Sequence, residues 1–318
     1  MTERDEPSVS HGQALLAVKA CALNNRDLRI ARNQYGGRSK PATRIALHDF
    51  AAEIISIGEG VDNVLPGDIV GAPHYINWIN GNCFPEYRAN DLGNSIDGVL
   101  AEFIVLPAHG LFKYPSKLTV EENATLVAAG TCVWSTLQEL GQIKAGDTVL
   151  SLGTGGVSVF AMQIAKMNGA RAVITSSSDS KLERMRDLGA DVTVNYRTNP
   201  DWEKEVFEKT GGVDIVVETA GIGTLGKSMA CCAPNARIGL IGALAQGEPP
   251  NLGNLLLKNL VLKGITTGSR TMMEEFVVAI ETNGFKPVID RVFDFDQARE
   301  AYRHLESASH IGKVVIKL

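Results

Sequence analysis

The chain has 318 residues, enough for two domains and a substantial core. Its formal charge of −5 and pI near 5.7 argue against a surface built for nucleic acid or anionic membrane. No apolar run approaches the roughly 20 residues needed to span a bilayer, and the polar, acidic opening (Thr2, Glu3, Arg4, Asp5, Glu6) resembles neither a signal nor a transit peptide.

Residues 13–22 are apolar and read as a strand. Asn24, Asn25, Arg26, Asp27 and Leu28 follow, leading into a short helical piece and a loop at Tyr35, Gly36 and Gly37. A second strand runs from His48 to Gly58, and Pro66, Gly67 and Asp68 between apolar runs predict a hairpin. Strand-length segments at this spacing imply a small β-rich domain. From Ala72 to Ser95 periodicity is lost and His74, Tyr75, Trp78, Phe84 and Tyr87 gather, as in a functional loop or a flap whose aromatics pack on a barrel. Strand character resumes over 98–106. A helix is predicted over 118–140, with Thr119 as N-cap and Glu122 closing a capping box.

The stretch from Thr148 to Ala190 organises the rest. An apolar strand runs into Gly153, Thr154, Gly155, Gly156, Val157 and Ser158, and the turn opens a helix with Val157, Phe160, Ala161, Ile164 and Ala165 on one face. Glycine at 153 and 155 permits a tight turn and close backbone approach to a pyrophosphate seated on the helix's free N–H groups. The third glycine of the G-x-G-x-x-G pattern is Ser158; the competing reading is a tight strand-to-helix turn without a ligand. A second strand ends at Thr175, where an NAD site would place an Asp or Glu for the ribose hydroxyls. Here Ser176, Ser177 and Ser178 stand instead, with Lys181 and Arg184 on the following helix. Hydroxyls with a cation suit a 2′-phosphate and favour NADP(H). Ser178 or Asp179 as a helix cap is compatible with that.

Asn199 and Pro200 predict a helix start. Further strands fall at 213–221, 236–242 and 259–265. Strands alternating with helices imply a doubly wound parallel sheet with ligands at the strands' carboxyl ends, here Gly153, Thr175, Ala220 with Gly221, and Gly242 with Ala243. A helix over 272–281 and a strand over 313–318 break the alternation, so the tail is expected to return to the first domain. The predicted division is 1–117 with 266–318, against 118–265. The five cysteines (21, 83, 132, 231, 232) form no C-x-x-C pair and show no metal spacing, which points to reduced thiols in a cytoplasm.

The pattern as a whole resembles the medium-chain dehydrogenase/reductase superfamily, and most closely its zinc-free, quinone-oxidoreductase-like branch. The resemblance rests on Asn24 to Asp27, Gly58 to Val61, Pro66 to Asp68, Gly98 to Phe103, Ala129 with Gly130, Gly153 to Ser158, Lys181, Leu188 to Ala190, Asn195 with Tyr196, and Gly312 with Lys313. It implies a GroES-like barrel split in sequence around a Rossmann domain, with the active site in the cleft between them. Zinc-dependent relatives ligate zinc through a Cys matching Asn24, a His-Glu pair matching His48 and Asp49, and a Cys matching Ala128. Both thiolates are absent, leaving an incomplete ligand set. No metal is expected, and His48 reads as a satisfied barrel histidine. The family's usual Thr beside the nicotinamide corresponds to Cys132, with Thr131 one position earlier.

Without zinc, catalysis must come from positioning against the nicotinamide and hydrogen bonds to an oxygen that gains charge, which suits hydride addition to a quinone or an enone. By resemblance, Asn25, Asp27 and Cys132 are the catalytic candidates. Asn25 would hold the nicotinamide ribose or substrate oxygen, and Asp27 would order its loop; simple Asx turns capping the short helix are the alternative. Tyr196 would lie with Lys181 and Ser176 against the adenosine phosphate, and Ser269, Arg270 and Lys313 would meet the cofactor. The sheet edge near 259–265 is expected to pair in a homodimer. The alternatives are a metal-free NADP-dependent dehydrogenase or reductase of simple carbonyls, and a cofactor-binding protein with little turnover.

Overall fold

The computed structural model describes residues 2–35 and 44–318, so Gly36 and Gly37 of the expected loop lie outside the described residues. The fold is α/β, and the chain divides into two compact units: residues up to Thr131 with Gly268–Leu318, and Cys132–Thr267.

The first unit begins with β1 (Gln13–Leu23), α1 (Asn25–Ala31), β2 (Asp49–Ile57) and β3 (Ile69–Gly71). β4 (Phe103–Pro107), β5 (Phe112–Lys113), α2 (Val120–Ala124) and α3 (Val127–Trp134) follow. The hairpin signal is realised, but the strand after it is only three residues long. Gly67 takes φ +88°, Asp68 Oδ2 accepts from Leu65 N at 2.8 Å, and Gly67 N bonds Ile54 O at 2.8 Å. The strand expected from residue 98 starts at Phe103, because Gly98 lies flat against other backbone: a Cβ there would come within 2.1 Å of Leu47 O.

The helix expected over 118–140 is broken. Its capping box is present, with Thr119 N donating to Glu122 Oε2 at 2.8 Å and Glu122 N to Thr119 Oγ1 at 3.2 Å. α2 then ends, and Thr125 Oγ1 donates to Glu122 O at 2.7 Å. Hydroxyl back-bonds from Thr131 to Val127 O and from Thr136 to Cys132 O loosen the next stretch, which widens into a π-turn over Ser135–Leu140. The unit boundary falls inside α3 rather than at 117/118, since α2 packs on β1 and β2.

In the second unit come β6 (Thr148–Leu152), α4 (Gly156–Met167), β7 (Arg171–Ser176), α5 (Asp179–Asp187), β8 (Val192–Asn195) and α6 (Trp202–Thr210). β9 (Val213–Glu218), α7 (Leu225–Ala230), β10 (Cys232–Leu240), α8 (Gly253–Leu257) and β11 (Val261–Gly264) complete it. All pairs in this sheet are parallel, in the order β11-β10-β9-β6-β7-β8. The central strands are buried on both faces, as the unbroken Val/Ile/Leu runs require. α6 starts two residues later than Asn199 and Pro200 suggest: Asn199 Oδ1 caps Asp201 N at 3.1 Å, which places the cap before Trp202.

The tail adds α9 (Arg270–Asn283), β12 (Ile289–Asp294), α10 (Ala298–Glu306) and β13 (Lys313–Lys317) to the first unit. β13 pairs antiparallel with β1, and β12 parallel with β13, giving the order β12-β13-β1-β2-β3-β5 with β4 also on β1. The first unit's core gathers Leu16, Leu23, Phe50, Ile54, Leu106 and Ile316, and the second's Leu150, Val173, Val206, Val216 and Ile238. Among the described residues no helix is long and apolar enough to cross a membrane.

Candidate active site

In the second unit, the turn after β6 has the geometry its glycines predict. Gly153 sits at φ +89°, where a side chain would be strained, and its N–H bonds Thr175 O at 2.9 Å. Gly155 is the N-cap of α4, and the first intrahelical bond runs from Val159 N to Gly155 O at 3.0 Å. The N–H groups of Gly156, Val157 and Ser158 therefore open the helix without intrahelical acceptors, at the positive end of a 12-residue dipole. Ser158 does what the missing glycine would not: its buried hydroxyl donates to Leu152 O at 2.7 Å and ties the helix to the strand end. Thr154 is buried beside it.

At the end of β7, Ser176 Oγ accepts from Ser178 N at 3.3 Å, and Ser178 Oγ caps α5 by accepting from Lys181 N at 3.4 Å. Tyr196 N bonds Ser176 O at 3.0 Å and its ring is exposed. Ser176, Ser177, Lys181 and Tyr196 thus surround one strand end. Asp179, the first residue of α5, accepts from Asn195 Nδ2 at 2.7 Å.

The ends of β9 and β10 carry a residue that the sequence reading missed. Glu218 is fully buried and accepts four hydrogen bonds. Oε1 takes Ala220 N at 2.9 Å, Gly221 N at 3.0 Å and Thr224 Oγ1 at 2.7 Å, and Oε2 takes Ser228 Oγ at 2.5 Å. Ala220, Gly242 and Ala243 meet here: a Cβ on Gly242 would lie 2.3 Å from Thr219 O, and one on Gly221 (φ +81°) 2.9 Å from Ala243 Cα. Cys132, at this unit's first residue, is buried with its thiol 3.6 Å from Thr266 O.

In the first unit, the start of α1 is closed by Asp27, whose Oδ2 accepts from Asn24 N at 2.7 Å. Asn25 stands exposed at the helix's first residue. Below it lies a buried charged cluster. Lys313 Nζ donates to Leu23 O at 3.0 Å, Asn24 Oδ1 at 2.6 Å and Asp49 Oδ2 at 3.1 Å, which uses all three ammonium protons. Asp49 also accepts from Asn24 Nδ2 at 2.9 Å and Ala128 N at 2.9 Å. Lys313 is therefore not a cation offered to a cofactor phosphate; it neutralises Asp49. Arg270 is likewise engaged, with Nη1 on His109 O at 2.6 Å and Nε 3.3 Å from Glu274 Oε1. Ser269 is the buried N-cap of α9, and Thr131, also buried, packs where a Cβ on Gly268 would come within 2.8 Å.

His48 departs from expectation in another way. It is fully buried, yet neither ring nitrogen has a well-formed hydrogen bond: Nδ1 is 3.5 Å from Asp27 Oδ1 and Nε2 3.3 Å from Asp49 Oδ1. It is a barrel histidine, but not a satisfied one. Burial and then the Arg26 charge push its pKa well below the ordinary value, so it is held neutral. The His74 ring lies 4.7 Å away, and His74 Nε2 and Arg26 Nη2 both reach Asp91 Oδ1, at 2.9 and 2.8 Å. Burial pushes the Asp91 carboxyl up, but His74 and Arg26 outweigh it and hold it well below the usual carboxylate range. Asp27, by contrast, is raised by burial. These contacts pin the aperiodic segment after β3 onto α1. Tyr75 and Trp78 are buried within it, while Phe84 is exposed.

The donor set does not suit zinc, which takes three or four protein ligands in a tetrahedron. Asn24 turns its N–H to Asp49 and its oxygen to Lys313, and an ammonium stands 3.1 Å from the carboxylate. Among the described residues, no group of three or more His, Cys, Asp or Glu is placed to hold a metal ion.

Comparison with known proteins gives a consistent set. A family model described as zinc-binding dehydrogenase matches residues 156–282, and one described as the alcohol dehydrogenase GroES-like domain matches residues 10–116. A zinc-type alcohol dehydrogenase-like protein of Schizosaccharomyces pombe is 40% identical over 96% of this chain and 91% of its own length. A crystal structure from Sinorhizobium meliloti 1021, described provisionally as an alcohol dehydrogenase, superposes with a TM-score of 0.92 at 37% identity, covering 99% of this chain and 93% of that one. A structure described as an NAD-dependent alcohol dehydrogenase gives 0.88 at 32% identity, covering 100% and 95%.

Proposed function

Because the chain belongs to the medium-chain dehydrogenase/reductase superfamily, as an alcohol dehydrogenase-like oxidoreductase, we propose that it transfers hydride from NADPH to a conjugated carbonyl, a quinone or an enone, without a metal ion. This places it in the zinc-free, quinone-oxidoreductase-like branch. The observation that carries the cofactor choice is the end of β7. Ser176, Ser177 and Lys181 stand there, and the carboxylate beside them, Asp179, accepts a hydrogen bond from Asn195. A 2′-phosphate would be repelled by a carboxylate in that place and is matched by hydroxyls and an ammonium. Gly153 to Val157 would seat the pyrophosphate on α4.

NADPH held there would supply a hydride, one proton with two electrons, and the reduced acceptor would take the balancing proton from solvent, on oxygen for a quinone and in net on the α-carbon for an enone. Metal independence is supported by the zinc-ligand positions: Asn24 and Ala128 offer no thiolate, and Lys313 already neutralises Asp49. The remaining contribution of this chain is orientation and hydrogen bonding, with Asn25 the exposed candidate at the start of α1 and Asp27 holding its turn.

The decisive experiment compares NADPH and NADH oxidation against quinones, enones and aldehydes, with metal analysis of the same sample. NADPH consumption with quinones or enones and substoichiometric zinc is the expected result. Preference for NADH, or stoichiometric zinc, would overturn the reading. The names of the relatives favour a second reading, oxidation of a simple alcohol; turnover of alcohols but not quinones would select it. Tight NADPH binding with no turnover on any acceptor would select a cofactor-binding role.

A homodimer is part of the proposal. β11 is an edge strand, and Leu252, Leu256, Leu257 and Val261 are exposed beside it, Leu256 and Leu257 at 83%. A second copy pairing this edge would cover them. A monomer by light scattering at micromolar concentration would refute it. Free thiols at all five cysteines, four of them buried, support a reducing cytoplasmic setting.

A further inference from the structure

The Glu218 carboxylate has a place and a partner set that the hydride-transfer proposal does not use. In the sheet order β11-β10-β9-β6-β7-β8, the first strand of the dinucleotide motif, β6, lies in the middle. With the adenosine ribose at the end of β7 and the pyrophosphate at α4, the other half of a dinucleotide falls over the ends of β9 and β10. The loops there are 219–224 and 241–247.

Glu218 stands under both loops. Its side chain takes the N–H groups of Ala220 and Gly221 and the hydroxyls of Thr224 and Ser228. Its own backbone carbonyl takes Ile241 N at 2.8 Å and Gly242 N at 3.3 Å. The first loop then holds the second, through Ala245 N on Ala220 O at 2.8 Å and through Gly221, Gly223 and Gly247, which leave no room for a Cβ. Two N–H groups that could face an anionic ligand are turned inward instead, so this end of the sheet differs in kind from the open N-terminus of α4.

We propose that Glu218 is a positioning residue for the nicotinamide half of the cofactor: one buried carboxylate sets the shape of both loops on that side of β6. This rests on the dinucleotide reading given above. It separates two affinities, because a fragment carrying only the adenosine half reaches α4, β7 and α5 but not these loops.

The test measures Kd by titration calorimetry for NADPH and for 2′,5′-ADP, or for NADH and 5′-AMP if the wild type prefers that pair. Glu218→Ala is expected to weaken the dinucleotide at least tenfold and to leave the adenosine fragment within twofold. Glu218→Gln keeps the acceptor for Ala220, Gly221 and Thr224 and reverses only the Ser228 bond, the amide donating to a hydroxyl that turns to accept, and should restore dinucleotide affinity to within threefold of wild type. Should the alanine variant not fold, Thr224→Val decides, with an expected dinucleotide loss of threefold or more and an unchanged fragment. Equal weakening of both ligands, or no change in either, would overturn the proposal. Wild-type protein that binds neither pair would instead refute the dinucleotide reading, and the role of Glu218 with it.

Discussion

The two units solve the same problem, polar groups buried under a sheet end, in opposite ways. In the second unit, Glu218 draws on neutral donors no more than ten residues away in sequence. In the first, Asp49 and Lys313 are 264 residues apart and Arg26 and Asp91 are 65 apart, and the partners carry opposite charges. A hub of local hydrogen bonds forms with its own turn. A cluster of distant charges is complete only when the tail has returned, and removing one member leaves another buried without its counter-charge.

The largest effect should therefore come from Lys313. Lys313→Met leaves Asp49 buried beside no cation and removes three hydrogen bonds, a loss of about 3–5 kcal/mol. Urea denaturation followed by circular dichroism, or failure to accumulate as soluble protein, would register it. A variant as stable as wild type would mean that the two centres do not differ as described. Asp91→Asn should come next, at about 3 kcal/mol at pH 7, because Arg26 loses its carboxylate counter-charge. Here pH adds a signature. The folded carboxyl is held below its unfolded value of about 4. Its contribution is thus present above pH 4 and drains away as pH falls toward the folded value. The wild type should lose stability steeply from pH 4 to 2, and the asparagine variant less so over the same interval.

His48 gives a smaller and differently placed effect. It faces Asp27, Asp49, His74 and Arg26, and is kept neutral chiefly by burial. A base with a depressed folded pKa stabilises above its unfolded value, about 6.5, and loses that below it, since only the unfolded chain takes up the proton. One such group gives a slope of roughly 1.4 kcal/mol per pH unit. His74 is depressed for the same main reason, so His48→Phe should make the slope between pH 6.5 and 5.5 shallower without abolishing it.

How much of this was readable beforehand follows the same divide. The strand and helix alternation, the Thr119 capping box, the Gly153 turn and the Ser178 cap are local, and periodicity or spacing is enough to find them. Lys313 and Arg270 read as free cations because nothing in the sequence places Asp49 or His109 beside them. β12 is not legible because only Phe293 of this edge strand is buried and Asp290, Arg291 and Asp294 break its apolar alternation. The helix over 118–140 was overextended because three threonine back-bonds are invisible to an apolar count. Glu218 left a usable trace: an acid directly ending the apolar run 215–217, followed by Thr219, Ala220 and Gly221. A charge in that position needs partners from its own turn.

The smallest effect tests the local side of the contrast. Ser158 occupies the third glycine position and donates to Leu152 O at 2.7 Å. Ser158→Gly removes that bond, worth about 1 kcal/mol, and adds backbone freedom in the first turn of α4, which costs a little more. Leu152 O keeps a second donor, Thr219 Oγ1 at 3.3 Å, so the strand-end carbonyl is not stranded. The expected outcome is a loss of about 1.5 kcal/mol by urea denaturation, with NADPH affinity within twofold of wild type. A loss above about 3 kcal/mol would put this turn in the same class as the charged cluster of the first unit, and the distinction between local and assembled polar centres would no longer hold.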